Sequence, residues 1–223
     1  PAKQICHCFA CGEGGNAVNF LMKHEQITYP EALRWLAKKY NIEIEEKELT
    51  EEEKKEQSDR ESMFIVNEWA KNYFHDILRN DPDGIAIGKQ YFRSRGIRDD
   101  IIEKFSLGYA LSKRDALALA AQKAGYQAEF LMKTGLCIKR EDKETSLLVD
   151  RYAGRVIFPW LNVSGRVAAF GGRLLDARTK GVQQKYVNSS DSEIYHKERE
   201  LYGLFQAKKA IAKEDRVYMV EGY

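Results

Sequence analysis

Apolar residues recur at helical spacing in the first part of the chain and again in its middle. Val18, Phe20 and Leu21 predict a helix over residues 17–23. Thr28 followed by Glu31 is the pattern of a capping box, which predicts the start of a second helix that ends near residue 40. Further helices are predicted over residues 63–78, 85–93, 99–105, 114–124, 127–134 and 201–213.

The pattern changes beyond residue 135, where short runs of β-branched and aromatic residues are separated by glycines and polar turns. These runs predict strands over residues 156–160, 166–170 and 185–188. A further apolar run at residues 216–220 is also typical of a strand. Because the helices and strands are largely segregated along the chain, the pattern predicts the α+β fold class.

A stretch rich in glutamate and lysine, residues 43–62, separates the first two helices from the rest. Its near lack of apolar residues is typical of either a solvated helical arm or a flexible linker, and both interpretations predict a domain boundary there. Residues 43–61 carry ten acids against four bases, whereas residues 151–199 carry nine lysines and arginines against four acids. The formal net charge of +2 therefore hides an acidic stretch and a basic lobe.

Composition narrows the class of protein. With 223 residues, of which 43% are hydrophobic, the chain can bury at least one core. It has no apolar run of about eighteen residues and no signal-peptide pattern, so we expect a cytoplasmic protein with no membrane partner. The first residue, Pro1, is not methionine, which is consistent with a fragment of a longer protein.

Three of the four cysteines lie within six positions, which favours metal binding over a disulfide framework in a chain without secretory features. Cys8 and Cys11 have the spacing of a zinc knuckle, with Gly12 behind them, and would supply two ligands of a four-ligand structural site. Cys6 and His7 are adjacent on an extended segment and point to opposite sides, so they do not simply complete that site. A redox pair and incidental thiols are the alternative interpretations.

The basic lobe interleaves arginines and lysines with glycines, aromatic residues and an Asn-Ser pair. Arg166 and Arg173 are an odd number of residues apart, so a straight strand would place them on opposite faces, but the two glycines before Arg173 would allow a bend. Arginine and lysine suit phosphate oxygens, and Asn188 and Ser189 could donate to a phosphate or a sugar. The pattern indicates a nucleic-acid groove, and the alternative is a sheet whose basic residues form its solvated face.

The last apolar run delivers a carboxylate, Glu221, that is followed by glycine. Hydrophobic strands that end in this way commonly place an acid at the mouth of an α/β sheet. There it can bind a divalent metal or act on a proton. The alternative interpretation is an ordinary loop charge.

Taken together, these segments resemble the DnaG-type DNA primase family, and the resemblance runs essentially from end to end of the chain. Residues 7–22 (HCFACGEGGNAVNFLM) resemble the second half of that family's CHC2-type zinc ribbon. Residues 91–97 (YFRSRGI) and 105–109 (FSLGY) resemble the start of its catalytic core. Its nucleic-acid-facing stretch is matched by residues 155–159 (RVIFP), 165–167 (GRV), 170–173 (FGGR), 185–189 (KYVNS) and 201–203 (LYG), and the opening of its Toprim motif by residues 220–223 (VEGY).

The resemblance implies a role for each matching position. It implies zinc ligation by Cys8 and Cys11, and it makes Glu221 the catalytic acid, a ligand of a magnesium site that a later pair of aspartates would complete. The family's upstream zinc ligands and downstream Asp-x-Asp have no counterpart in this sequence. Contacts with the template or with an RNA–DNA hybrid are implied for Arg155, Arg166, Arg173, Lys185, Asn188, Lys197 and Arg199.

The implied organisation has four parts. Residues 1–42 would be the C-terminal half of a zinc-binding domain, and residues 43–62 a charged linker. Residues 63–215 would form the N-terminal subdomain of the primase RNA-polymerase core. Residues 216–223 would be the first strand of a truncated Toprim α/β unit.

The implied activity is that of a nucleotidyltransferase with structural Zn²⁺ and catalytic Mg²⁺. It would synthesise short RNA primers on single-stranded DNA from ribonucleoside triphosphates during replication, and it would meet a replicative helicase through a missing C-terminal domain. We expect the fragment to be inactive alone. The alternatives are a non-catalytic zinc-ribbon module that binds single-stranded nucleic acid, a phage-type primase–helicase, and a topoisomerase that shares the Toprim unit.

Overall fold

The computed structural model describes residues 5–9, 12, 14–25, 27–43, 50–141, 146–175 and 184–222. Cys11, one of the two predicted zinc ligands, lies outside these described residues. The chain forms two compact units, one made of residues 1–50 and 207–219 and the other of residues 51–206 and 220–223. The predicted domain boundaries stay predictions.

The first unit contains a short antiparallel hairpin and two helices that follow it. The hairpin pairs β1 (Cys6–His7) with β2 (Gly14–Gly15), and the helices are α1 (Ala17–Glu25) and α2 (Tyr29–Tyr40). Leu21, Ala32 and Ala37 are buried in this unit. Both predicted helices are therefore confirmed.

The ends of α2 follow from local chemistry. The Glu31 carboxylate accepts hydrogen bonds from the backbone N–H and the hydroxyl of Thr28, each at 2.8 Å, so the predicted capping box is formed. At the other end, Asn41 adopts a left-handed conformation with φ of 51°, which stops the helix. Asparagine is one of the few residues that adopt this conformation readily.

Helix α3 (Glu51–Asn80) opens the second unit and begins twelve residues before the predicted start at residue 63. Three glutamates occupy its first turn, where the positive end of the helix dipole stabilises them. Lys133 Nζ lies 2.8 Å from an oxygen of Asp59, and Arg166 pairs with Glu61. The described part of the predicted linker, from residue 51 onward, is therefore a solvated helical arm held by ion pairs.

Shorter helices connect α3 to the strands. A π-helix (Gly84–Lys89) runs directly into α4 (Gln90–Ser94), and α5 (Asp99–Lys104), α6 (Ala116–Lys123) and α7 (Ala128–Lys133) follow. The last helix, α8 (Leu204–Glu214), comes after the strands along the chain, and its residues 207–214 belong to the first unit. These helices confirm the predicted ones with boundaries shifted by a few residues. The π-helix and α4 together occupy the predicted helix over residues 85–93, although the π geometry of its first part was not predicted. The π-helix passes so close to α3 that a Cβ on Gly84 would lie 1.8 Å from the carbonyl oxygen of Ile77.

A four-stranded antiparallel sheet is the centre of the second unit. Its strands are β3 (Gly108–Tyr109), β6 (Arg155–Leu161), β7 (Val167–Leu174) and β8 (Tyr186–Asn188), in the order β3-β6-β7-β8. A separate hairpin pairs β4 (Cys137–Glu141) with β5 (Ser146–Asp150). Helices and antiparallel strands together confirm the predicted α+β class.

Both faces of the sheet carry a hydrophobic core. On one face, Ile157, Phe170 and Val187 belong to a cluster that includes Phe74 of α3 and residues of α6 and α7. On the other face, Val156 and Phe158 belong to a cluster with Leu78, Phe92, Ile102, Leu107 and Tyr109. Since β6 and β7 are buried on both faces, their sequences read as nearly continuous apolar runs.

The predicted bend at Gly171 and Gly172 is not formed. The register of β6 with β7 continues without a break across both glycines, and the irregularity lies instead between Trp160 and Leu161. Gly172 is needed for packing, because a Cβ there would lie 2.7 Å from the Tyr152 ring. The two glycines therefore make room for neighbours without redirecting the strand.

The predicted strand over residues 216–220 is also not formed. Residues 216–222 adopt no regular secondary structure, and the side chains of residues 217–220 are exposed. A strand is stabilised by a neighbouring backbone, and none of the described strands pairs with this segment. The first strand of a Toprim unit is thus not seen. In the described part of the chain, no helix is both long and apolar enough to cross a lipid bilayer.

Candidate nucleic-acid interface

Arg173 occupies the best-defined site among the predicted contacts. It lies on β7, and its guanidinium carbon is 5.0 Å from the ring centre of Tyr91 on α4 and 5.4 Å from that of Tyr186 on β8. Its Nη1 donates to the Tyr91 hydroxyl. The guanidinium is therefore held by two aromatic rings, one on the neighbouring strand and one on the helix that packs over the sheet.

The strand register shows which residues share this surface. Arg173 pairs with Val156 on one side and with Tyr186 on the other, so these side chains lie on the same face of the sheet. Asn188, two residues beyond Tyr186, pairs with Gly171 and shares that face. We call the surface formed by Tyr91, Arg95, Arg173, Tyr186 and Asn188 the Arg173 face.

The Arg173 face combines the groups that a single strand of nucleic acid needs. The guanidinium of Arg95 lies 5.6 Å from the Tyr91 ring, which gives a second cation beside the same aromatic residue. Tyr186 is 47% exposed, and Lys185 immediately before it is exposed as well. Aromatic rings can stack on bases, and the guanidinium of an arginine can donate two parallel hydrogen bonds to phosphate oxygens. The side-chain amide of Asn188 adds a polar group on the same face.

Arg166 is already occupied by protein groups. Its Nη1 and Nη2 donate to the two carboxylate oxygens of Glu61 at 2.8 and 2.7 Å, and its guanidinium carbon lies 3.9 Å from the ring centre of Phe64. The hydrogen bond from Arg166 is the largest cause of the lowered pKa of Glu61. Arg166 precedes the first residue of β7, whereas Arg173 is near its end, so the structure does not bring the two together.

Arg155 lies on the other face of the sheet. It pairs with Leu174, one residue from the Val156 and Arg173 pair, and side chains alternate between faces along a strand. Arg155 is only 9% exposed, and its Nη1 and Nη2 donate to the carbonyl oxygens of Ala153 and Gln184 at 3.2 and 3.3 Å. The predicted contact residues are therefore divided between two faces.

Lys197 and Arg199 lie on an exposed 3₁₀ turn (Lys197–Arg199). The backbone N–H of Lys197 donates to a carboxylate oxygen of Asp191 at 3.0 Å, which fixes the turn. The Nε of Arg199 is 3.6 Å from a carboxylate oxygen of Glu198. Both side chains can reach a ligand at the surface.

Ser189, which we expected to donate to a ligand, is part of the core. It is 6% exposed, its hydroxyl lies 3.0 Å from the Tyr152 hydroxyl, and it accepts a hydrogen bond from the backbone N–H of Phe170 at 3.1 Å. Its own N–H donates to the carbonyl oxygen of Phe170 at 2.9 Å. Ser189 therefore fixes the end of β8 and is not available to a phosphate.

Glu221 is exposed and lies in the segment without regular structure. Its carboxylate makes no hydrogen bond or ion pair with any residue that the structure describes. The carboxylate is accessible to a ligand. Glu221 and the Arg173 face both belong to the second unit, whereas residues 207–219, which precede Glu221 in the chain, belong to the first unit.

The cysteine region is partly described. Cys8 is exposed and directly follows β1, and its carbonyl oxygen accepts a hydrogen bond from the backbone N–H of Gly12 at 2.9 Å. Cys6 pairs with Gly15, and its thiol lies 3.3 Å from that residue's carbonyl oxygen. The described residues contain no group of three or more potential metal ligands.

Sequence reasoning missed Tyr91 and Arg95 as site residues. Both lie at the start of the catalytic-core resemblance, and their spacing of four residues places them on one side of a helical segment. An aromatic residue four positions before an arginine was the signal that could have found them. This spacing indicates a site only in combination with the contact between Tyr91 on α4 and Arg173.

Two family models match this chain. Residues 73–208 match the model of the DNA primase catalytic core, N-terminal domain. Residues 1–52 match the model of the CHC2 zinc finger.

Relatives and solved structures agree with these matches. Over 223 residues, the chain is 38% identical to the DNA primase of Halalkalibacterium halodurans, and the match covers 100% of this chain and 36% of that relative. It is 31% identical to the zinc-binding and RNA polymerase domains of Aquifex aeolicus primase, with a TM-score of 0.64 over 100% of this chain and 50% of that one. It is 29% identical to a DnaG primase catalytic domain bound to single-stranded DNA, with a TM-score of 0.64 over 75% of this chain and 49% of that one. The chain thus spans about a third of the length of the curated relative, at 36%.

Proposed function

Because the chain belongs to the DnaG-type DNA primase family, we propose that it forms part of an enzyme that synthesises short RNA primers on single-stranded DNA during replication. DNA primases polymerise ribonucleotides, so the substrates would be ribonucleoside triphosphates and the product an RNA–DNA hybrid. The zinc-finger match precedes the catalytic-core match along the chain, in the order that the resemblance implies. A non-catalytic binding module and a primase–helicase find no support in these matches.

The observation that carries this proposal for the second unit is the arrangement around Arg173. Its guanidinium is held beside Tyr91 and Tyr186, so little conformational entropy is lost when it binds a phosphate. Tyr186 offers a partly exposed ring for a base, and Asn188 offers an amide next to Gly171. We assign the template strand to this face, and a solved catalytic domain of the same family carries single-stranded DNA as its ligand.

Zinc fits the cysteine region as a structural ion. Two thiolates at Cys8 and Cys11 would be half of a tetrahedral ligand set, and the carbonyl oxygen of Cys8 accepts a hydrogen bond from the backbone N–H of Gly12. The other two ligands are not among the described residues. Bound there, the ion would stabilise the first unit and keep the β1–β2 hairpin in place.

Magnesium fits Glu221 through the chemistry of its carboxylate. Mg²⁺ prefers oxygen ligands and is often held by one or two carboxylates together with substrate phosphates. When bound, the ion lowers the pKa of an attacking hydroxyl and neutralises charge on a triphosphate. Glu221 would hold it through a carboxylate that is exposed and makes no hydrogen bond within the described part of the chain.

The experiment that tests the template assignment measures binding of a labelled oligothymidylate by fluorescence anisotropy at several salt concentrations. Arg173→Ala removes one charge-assisted contact, so we expect about tenfold weaker binding at low salt and a salt slope smaller by about one. Arg98→Ala is the matched control, because it removes one exposed arginine that pairs with Asp100 at 2.7 Å. Equal affinities of the Arg173→Ala and Arg98→Ala chains would refute the assignment.

The catalytic assignment needs a separate measurement in the intact primase. Glu221→Gln keeps the size of the side chain but removes its charge, so we expect loss of primer synthesis from ribonucleoside triphosphates. Binding of single-stranded DNA should be unchanged in the same variant. Primer synthesis at the parent rate would remove Glu221 from the catalytic site and leave the template assignment standing.

A further inference from the structure

A second basic site lies in a cavity of about 950 Å³ in the second unit. The β4–β5 hairpin, the start of β6 and the end of β7 line it. Its described lining includes one acidic side chain, Asp150, and five basic ones: Arg114, Lys139, Arg140, Arg151 and Arg155. Such an excess of positive charge in a concave site calls for an anionic ligand.

The cavity is distinct from the Arg173 face. Arg155 and Leu174 are register partners and line the cavity, whereas their neighbours Val156 and Arg173 point to the opposite face of the sheet. Val187, between Tyr186 and Asn188 on β8, also lines the cavity. The sheet itself therefore separates the two sites.

Arg155 is the most buried cation in the lining of the cavity, and no acidic side chain among the described residues pairs with it. It is more than nine-tenths buried, its two terminal nitrogens donate only to neutral carbonyl oxygens, and its Nε has no hydrogen-bond partner in the described structure. Desolvation lowers the pKa of Arg155, and the like charge of Arg151 lowers it further. An anion in the cavity would relieve both effects.

Three further arginines, Arg151, Arg114 and Arg140, leave the described lining of the cavity positive. Arg151 donates to the backbone carbonyl of Asn188 at 3.1 Å, which does not neutralise it. The Asp150 carboxylate accepts from the backbone N–H groups of Leu117 and Ala118 at 2.7 and 3.0 Å, so it caps α6 and not the arginines. Arg114 and Arg140 are exposed and form no ion pair with other described residues.

We propose that this cavity binds closely spaced phosphate groups, as in a free polyphosphate or in the backbone of a nucleic-acid strand. Guanidinium groups from β4, β6 and the segments before α6 and β6 converge there, and each offers a planar pair of donors suited to phosphate oxygens. Several cations around one space match a ligand with several adjacent charges better than a single carboxylate. The site is additional to the template contact on the Arg173 face.

Inorganic tripolyphosphate is the probe, and isothermal titration calorimetry on the chain at low ionic strength is the measurement. In the double variant Arg114→Gln/Arg140→Gln we expect binding to weaken by about tenfold or more, since two charge-assisted contacts are lost. Both side chains are exposed, so the fold should persist, which far-ultraviolet circular dichroism checks. Lys104→Gln/Lys123→Gln removes the same charge from exposed positions outside the cavity and should bind as the parent does.

Competition with a short oligothymidylate distinguishes the two phosphate sources. If the strand displaces tripolyphosphate and also binds the arginine variant less tightly, the cavity takes a nucleic-acid backbone. If the strand does neither, the cavity takes free polyphosphate.

Three outcomes overturn the proposal. One is a parent chain that does not bind tripolyphosphate, and another is equal weakening in the arginine and lysine variants. The third is loss of tripolyphosphate binding in Arg173→Ala with none in the arginine double variant, which would put the ligand on the opposite face. None of these results bears on the anisotropy test of the template assignment.

Discussion

Replacing Gly172 with alanine should destabilise the second unit, because the centre of β7 has no room for a methyl group. A Cβ at this position would lie 2.7 Å from Cδ1 of Tyr152, 3.0 Å from Cδ of Arg155 and 3.3 Å from Cε1 of Tyr152. Tyr152 cannot easily move away. It is 1% exposed, and its hydroxyl donates to the Phe170 carbonyl at 3.0 Å and contacts the Ser189 hydroxyl at 3.0 Å.

The magnitude follows from this geometry. Restoring an ordinary contact of 3.4 Å from 2.7 Å requires a shift of about 0.7 Å in a packed ring. Overpacking of this kind costs about 1–3 kcal/mol. The smaller entropy of an unfolded chain with alanine offsets about 0.5–1 kcal/mol. We therefore expect the free energy of unfolding to fall by about 1–2 kcal/mol and the melting temperature by about 2–8 °C.

Urea unfolding followed by tryptophan fluorescence measures this change in the second unit. Trp35 belongs to the first unit, so a Trp35→Phe background leaves Trp69 and Trp160, both in the second unit, as the only tryptophan probes. A shift of the midpoint with an unchanged slope would report a change in stability alone.

A double-mutant cycle assigns the cost to the Tyr152 ring. Tyr152→Leu removes the ring, so it should cancel part of the effect of Gly172→Ala, with a coupling of about 1 kcal/mol. Gly125→Ala is the control: a Cβ on Gly125 meets no atom within 4 Å, so the cost of this substitution comes from its backbone φ of 88° and should add to that of Tyr152→Leu without coupling. A Gly172→Ala chain as stable as the parent, or an additive cycle at Gly172, would refute the reasoning.

Two further predictions concern buried polar groups. Burial raises the pKa of Asp150 from 3.8 to about 6, so folding favours its protonated form. This preference contributes about 3 kcal/mol to the free energy of unfolding. The contribution should be full below about pH 4 and lost as the pH rises through 6. Unfolding free energies from pH 4 to 7.5 should show this fall in the parent but not in Asp150→Asn, and parallel profiles would contradict it. Asn67 donates to the carbonyls of Val167 and Ala168 at 3.1 Å each, so Asn67→Leu should lower the free energy of unfolding by about 1–3 kcal/mol. Asn72→Leu on the exposed side of α3 should change it little, and equal effects of the two substitutions in urea unfolding would show that the Asn67 hydrogen bonds contribute nothing.

The elements that the sequence predicted well are those whose signals are local. The start of α2 depends on Thr28 and Glu31, three residues apart, and its end on the left-handed Asn41. The predicted helices of the second unit bury apolar residues at helical spacing, and the strands over residues 156–160 and 166–170 are continuous apolar runs. In each case, the chemistry that decides the structure lies within a few positions.

The elements that were missed depend on distant partners. The first turns of α3 have no apolar face, and the contact of Glu61 with Arg166 joins residues 105 positions apart. Residues 216–220 have the apolar pattern of a strand, but a strand also needs a neighbouring backbone, and none of the described strands supplies one. The apolar pattern predicts a helix over residues 85–93 but does not show that its first part is a π-helix.

The difference between local signals and distant partners also explains why the residues of the predicted basic groove do not share one surface. Arg155, Arg166 and Arg173 look alike in sequence, since each lies in an apolar, glycine-containing run. The unbroken register of β6 with β7 places Arg155 and Arg173 on opposite faces, and the helical arm brings Glu61 to Arg166. Three similar arginines thus have three different surroundings: a cavity, an ion pair and an aromatic surface.

Whether two residues of a strand are an even or an odd number of positions apart decides whether their side chains share a face of the sheet. A bend at Gly171 and Gly172 would have allowed Arg173 to share a groove with Arg166, but the register of β6 with β7 runs unbroken across both glycines. The Tyr152 ring leaves no room for a Cβ at Gly172. The residues beside Arg173 on its own face are therefore those two positions away or on the paired strands, namely Gly171, Val156 and Tyr186. It follows that a strand crossing the sheet at Arg173 meets Tyr186 and Asn188 next, and that a ligand of Arg155 must approach from the β4–β5 side. The unbroken register of β6, β7 and β8 thus determines which cations can contact the same nucleic-acid strand.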